Sequence, residues 1–220
     1  MPAPALRPVA GAATAADVAR ALLEAGCVAV RPESPVTFTS GLRSPVYVDN
    51  RRLISQPGPW RVVVGALVDV VRAQVPAVEV VAGVESSGIP HSSAVGFAAG
   101  LPTVFVRKAT REHGLGRRIE GGEVAGHRVL LVEDMVTTGG SSLSAIEALT
   151  AAGAVASSCL AIVSYGFAEA VQAFEDAGIS LDVLTTFEVV LDEGVRSGRV
   201  TEDAAQATLR WLADPHGWVP

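Results

Sequence analysis

The stretch from Arg128 to Gly153 constrains this chain more than any other. Val129–Val132 is a short continuous apolar run, as in a strand buried on both faces of a parallel sheet. Glu133 and Asp134 stand where that strand should end, and a turn rich in hydroxyls and glycine follows, Thr137-Thr138-Gly139-Gly140-Ser141. Leu143, Ile146 and Leu149 then recur at helical spacing, with Gly153 as a C-terminal stop. Strand, acidic pair, glycine turn and helix, in that order, can hold a phosphate. Glycines let the backbone approach an anion, and the first N–H groups of a helix have no acceptor within it. The lysine of a P-loop is missing, and so is the G-x-G-x-x-G spacing of a dinucleotide fold. An ordinary strand-to-helix turn needs no paired acids before a hydroxyl-rich corner.

The rest of the chain alternates in the same way. Thr14 is placed to cap a helix from about Ala15 to Ala25, with Val18, Leu22 and Leu23 as its buried stripe, and Val28–Val30 reads as a strand. Val36–Thr39 and Pro45–Val48 flank Ser40-Gly41 as a loose hairpin. A helix is expected over Trp60–Val75 and a strand over Val78–Val81, then a loop from Gly83 to Pro90 and a helix over His91–Ala99. Thr103–Val106 reads as a strand that runs into a basic loop, Arg107–Gly122, containing four glycines. A loop of that length inside a compact domain is usually functional or disordered. Ser158–Ser164 and Leu181–Thr185 complete the strands, with a helix over Phe167–Ala177 between them. One or two helices close the chain, with Thr201 capping the last and Glu202-Asp203 at its positive end. Trp211 and Trp218 are expected to pack a surface groove.

This alternation implies an α/β fold with a mostly parallel central sheet flanked by helices, in one domain spanning 14–220. Ligands of such sheets bind beyond the carboxyl ends of the strands. The loops at Gly83, Arg107 and Glu133 all leave strands at that end. Seventeen Lys+Arg against 23 Asp+Glu give a net charge of −6, which argues against general nucleic-acid binding. Cys27 and Cys159 sit in apolar surroundings as small core residues, and the four histidines show no ligand spacing. Residues 1–13 are expected to form a disordered tail, and the charges at Asp17, Arg20 and Glu24 rule out a signal core or a membrane span over 15–26. A cytoplasmic protein without membrane or nucleic-acid partners is expected.

The central stretch resembles, position for position, the phosphoribosyl pyrophosphate signature of the phosphoribosyltransferases. A second stretch is more specific. Orotate phosphoribosyltransferases carry F-T-x-x-S-G-x-x-S-P-x-Y-x-D-N-R near the N-terminus, and Thr37, Ser40, Gly41, Ser44, Pro45, Tyr47, Asp49, Asn50 and Arg51 match it here. Thr39 stands where many members have lysine, a departure shared by one branch of the family. The 83–90 loop resembles the family's pyrophosphate loop, and 107–122 its Arg-Lys-x-x-Lys-x-His-Gly lid, with Arg111 in place of the second lysine. Tyr165-Gly166 occupies the place of an orotate-binding arginine found in some members, and no role is assigned to it.

The resemblance, from about Ala15 to Trp218, implies a type I phosphoribosyltransferase fold with a small N-terminal hood, about 28–52, and a mobile lid, about 107–122. It implies transfer of ribose 5-phosphate from phosphoribosyl pyrophosphate to orotate, giving orotidine 5′-monophosphate in pyrimidine synthesis. Catalysis would fall to Arg111, His113, Glu133 and Asp134. The sugar donor would meet those four together with Arg107, Lys108, Ser86, Ser87, Gly88 and the run Met135, Val136, Thr137, Thr138, Gly139, Gly140, Ser141. Orotate would meet Thr137, Ser40 and Gly41. Mg²⁺ is the implied cofactor, with no protein side chain assigned to it, and the implied assembly is a homodimer whose lid reaches the neighbouring site. Two alternatives stay open. Another base is one, disfavoured by the hood match; a nucleic-acid-binding sensor of the sugar donor is the other, disfavoured by the negative charge.

Overall fold

The computed structural model describes residues 6, 8–9, 11–38, 41–74, 77–108 and 118–219. Helix α1, Ala12–Glu24, starts after Gly11 rather than at the expected Thr14 cap. Val18, Leu22 and Leu23 form its buried stripe, as expected. Just before it, Val9 donates its N–H to the Val183 carbonyl at 3.0 Å, so the chain is already tied to the sheet edge there.

The hood pairs differently from the expected hairpin. β1, Val28–Val30, pairs antiparallel with β4, Val46–Val48, while β2, Val36–Thr37, pairs with β3, Arg43–Ser44. Pro45 has no N–H with which to continue the β3 ladder. The Ser44 hydroxyl instead spans the bend, donating to the Val46 carbonyl at 2.8 Å and accepting from its N–H at 3.2 Å. The strand after the bend is thereby delivered to β1. A 3₁₀ segment, Asn50–Ser55, leads out of the hood.

Six strands make the central sheet: β5 (Val80–Val84), β6 (Thr103–Val106), β7 (Ile119–Glu120), β8 (Arg128–Val136), β9 (Val155–Ser164) and β10 (Ser180–Thr186). Their spatial order is β10-β9-β8-β5-β6-β7. Every pairing is parallel except β6 with β7. Leu130, Leu131 and Val132 on β8, and Cys159 to Ile162 on β9, are wholly enclosed, as strands covered on both faces should be. The helices are α2 (Pro57–Gln74), α3 (Gly88–Ala99), α4 (Gly140–Ala151), α5 (Ala168–Asp176), α6 (Phe187–Arg196) and α7 (Glu202–Ala213). α2 and α3 both start about three residues before expectation. Pro57 and Pro90 fall in first turns, where a missing N–H removes no helical bond. The mostly parallel α/β sheet read from the sequence is what the chain forms.

Two further expectations change. β8 does not stop before the acids: it runs through Glu133 and Asp134 to Val136, because β9 continues to pair with it as far as Ser164. Trp211 does not sit in a surface groove. It is completely buried, in edge-on contact with Phe38, Tyr165 and Phe167, and its Nε1 donates to the Arg43 carbonyl at 2.9 Å. The last helix therefore locks onto hood strand β3. The Thr201 cap is as expected, its hydroxyl accepting from the Ala204 N–H at 3.2 Å. Cys27 and Cys159 are free and buried. No helix among the described residues is long and apolar enough to cross a membrane.

Candidate active site

β8 carries the acidic pair to the carboxyl end of the sheet, and its alternation sends the two side chains opposite ways. Glu133 is buried against α4, where the Ser142 hydroxyl donates to its Oε1 at 3.0 Å. On its other side Gly88 opens α3 with no side chain. A Cβ there would lie 2.9 Å from the Val132 carbonyl oxygen and 3.3 Å from Glu133 Oε2. Only glycine lets the 85–88 loop close on β8, so the expected pyrophosphate loop and the acidic pair do adjoin. Burial first, and the Asp134 charge second, push the Glu133 carboxyl up to about 8.

Asp134 is half-buried and faces the hood. Burial raises its pKa to about 6, against the pull of its own N–H, the Met135 N–H and the Arg51 charge. Arg51 pairs with Asp49 at 2.6 Å. Asn50 is fully enclosed and donates its Nδ2 to the Asp134 carbonyl oxygen at 2.7 Å. The hood thus touches the acidic pair directly.

The turn after β8 has the geometry of an anion site. Gly139 enters α4 in the left-handed region at φ +83°, and no side chain caps the helix. Leu143 is the residue whose N–H returns to the Gly139 carbonyl, at 2.9 Å. The N–H groups of Gly140, Ser141 and Ser142 precede that first helical bond and are left for a ligand. Gly140, Ser141 and Thr138 are exposed and Thr137 is half-buried. Met135 is half-buried, whereas the Val136 side chain is in the core and its carbonyl accepts from the Ser164 hydroxyl at 2.9 Å.

Between this turn and the hood lies a cleft of about 490 Å³, lined by Thr37, Phe38 and Tyr47 on one side and Met135, Thr137 and Tyr165 on the other. It is a flat-walled aromatic space, with Phe38 stacked over Tyr165 at 6.5 Å between centroids. Gly41, expected on the base, lines a neighbouring groove with Arg43, Thr138 and Trp218. Ser40 lies outside the described residues, as do Arg111 and His113. At the lid's near end Arg107 is engaged by carboxylates, at 3.0 Å from Glu120 and 3.9 Å from Glu85. Lys108 is exposed, and its N–H donates to Glu85 at 3.1 Å. The far end of the expected lid is strand β7, an edge of the sheet.

Asn50, Ser142, Phe38 and Tyr165 were given no role by the sequence. The first had a signal in the hood stretch; Ser142 follows the turn directly. Nothing in the linear order places Phe38 against Tyr165, which are brought together by the packing of α7.

A family model described as the phosphoribosyl transferase domain matches residues 69–178. Over 202 residues the chain is 38% identical to the orotate phosphoribosyltransferase of Bacillus caldolyticus, covering 92% of this chain and 98% of that one. Among solved structures, UMP synthase of Leishmania donovani superposes with a TM-score of 0.78 at 26% identity, covering 92% of this chain and 42% of that longer one. The orotate phosphoribosyltransferase of Mycobacterium tuberculosis, solved in complex with 5-phospho-α-D-ribosyl 1-diphosphate, superposes at 0.64 with 27% identity, covering 80% and 98%.

Proposed function

The chain belongs to the orotate phosphoribosyltransferase family, and from that premise we propose how its own residues divide the work. The reaction transfers ribose 5-phosphate from phosphoribosyl pyrophosphate to orotate, giving orotidine 5′-monophosphate and pyrophosphate in pyrimidine synthesis. The names of the relatives support orotate over another base. One observation carries the assignment of the site: an uncapped helix start, with its N–H groups free, stands beside an acidic pair and opens onto an aromatic cleft.

The 5′-phosphate sits on the 137–141 turn, held by backbone N–H groups at the positive end of α4. Asp134, half-exposed beside the turn, accepts from the ribose hydroxyls and steadies positive charge as the bond to pyrophosphate loosens. Glu133 supports from behind, accepting from the Ser142 hydroxyl and packed against the start of α3. The planar base lies in the cleft between Phe38 and Thr137, where apolar walls and a few polar groups suit a flat ring. Ser86, Ser87 and Gly88 face the departing pyrophosphate. Arg107, Lys108, Arg111 and His113 supply its cations when the lid closes and water is excluded. For that, Arg107 must leave Glu120, with which it is now paired.

Magnesium belongs to this proposal in one form. Among the described residues no group of three or more His, Cys, Asp or Glu side chains is placed to hold a metal ion. The ion would enter with the sugar donor and would supply positive charge against the negative charge developing on the leaving group. Cytoplasmic placement, and a homodimer with the lid reaching the neighbouring site, complete the proposal. Its test is ultraviolet loss of orotate on adding phosphoribosyl pyrophosphate and magnesium. Absence of that loss, with release of pyrophosphate in the presence of a purine base instead, would overturn it.

A further inference from the structure

One buried side chain joins the hood to the acidic pair. Asn50 is 0% exposed, and its Nδ2 lies 2.7 Å from the Asp134 carbonyl oxygen. The pairing of β5 with β8 ends at Gly83–Val132. Asp134 lies beyond that point, and a side-chain amide, not a strand, takes up its carbonyl. The other end of the amide, Oδ1, is enclosed with no hydrogen-bond partner among the described residues. An orphaned buried oxygen costs stability and offsets part of what the Nδ2 bond to the Asp134 carbonyl contributes.

The Asp134 carbonyl and the Met135 N–H belong to one planar peptide unit. The Met135 N–H and the Asp134 N–H lie near the Asp134 carboxylate, and their pull favours its charged form. Holding the carbonyl end of that unit therefore holds the N–H end against the carboxylate. We propose that Asn50 is a positioning residue: by clamping the Asp134–Met135 peptide it aims the Asp134 carboxylate at the sugar and couples that aim to the seating of the hood. The inference rests on the reading that Asp134 meets the ribose. The charges facing Asp134 are Arg51, which favours the carboxylate, Asp49, which disfavours it, and Glu133 beside it on β8.

The test compares Asn50→Ala, Asn50→Asp and Asp134→Asn with the parent, following orotate consumption against pH. Asn50→Ala is expected to lower kcat/KM about tenfold, the scale of one lost hydrogen bond. It also moves the acid limb of the profile to higher pH, since the Met135 N–H is no longer held near the carboxylate whose charge it favours. Asn50→Asp keeps the size, removes the donor and adds a like charge, so its limb moves further; it decides the matter if Asn50→Ala does not fold. Activity lost with the limb unmoved would mark a merely structural asparagine and overturn the proposal, as would both variants matching the parent within about twofold. An Asp134→Asn protein as active as the parent would instead overturn the underlying assignment.

Discussion

Replacing Gly139 by alanine tests the proposed phosphate turn where its geometry is least forgiving. Gly139 holds φ +83°, and a Cβ built there would lie 2.7 Å from Cε2 and 3.2 Å from Cδ2 of Phe174. Phe174 is 1% exposed, so its ring has nowhere to retreat. Two costs add. A left-handed backbone costs a non-glycine residue about 1–2 kcal/mol. Overpacking against a buried ring costs about 1–3 kcal/mol more. A loss of about 2–5 kcal/mol is tolerable for a domain of ordinary stability, about 5–15 kcal/mol, so the variant still folds. Denaturant melts of Gly139→Ala, Phe174→Leu and the double variant separate the parts. The shorter leucine relieves the clash but not the backbone strain, so the double variant should fall short of additivity by roughly the overpacking share. The KM for the sugar donor should rise in Gly139→Ala as the N–H groups of the turn shift. A loss below about 0.5 kcal/mol, or a fully additive cycle, would refute the reasoning.

Three other outcomes follow from the same site. The Glu133 carboxyl, raised from 4.5 to about 8 chiefly by burial, contributes stability that is present below its unfolded value and lost as pH rises through about 8. The melting temperature of the ligand-free parent should therefore decline across that window, and Glu133→Gln should flatten the decline; an equal slope in both would count against a buried protonated acid. Trp211→Phe removes the bond to the Arg43 carbonyl, at a cost of about 1–3 kcal/mol, and should raise the KM for orotate more than that for the sugar donor, because Arg43 belongs to the hood. Equal effects on both substrates in steady-state kinetics would sever the last helix from base binding. Arg111→Ala should cut turnover strongly with the fold intact by circular dichroism; a rate within about twofold of the parent would remove Arg111 from the lid's work.

Much of the site was legible in the sequence because it is local. The apolar run at Val129, the acids, the glycine corner and the helix repeat from Leu143 lie within one continuous stretch, and each backbone requirement there is met by the residue in place. The same holds for Gly83–Pro90, where glycine at 88 is demanded by β8. Strand ends were less legible. A run of valines and leucines marks where a strand must be buried, but its length depends on a neighbour: β8 continues past the two carboxylates because β9 pairs with Glu133, Met135 and Val136. The hood misled for a similar reason, since Ser44 and Pro45 redirect a chain whose alternation alone suggests one simple hairpin.

By itself, then, the amino-acid order determined the fold class, the glycine corner and the presence of two acids at a strand's carboxyl end, since all of these arise from patterns a few residues apart. Only the tertiary structure decided how each acid is placed. Glu133 and Asp134 are adjacent in the chain, yet one is enclosed by Ser142 and Gly88 while the other faces Asn50 and Arg51 across the hood. Alternation along a strand sends neighbours to opposite faces. Their ionisation and exposure are set by what distant segments place there, and no local pattern records that.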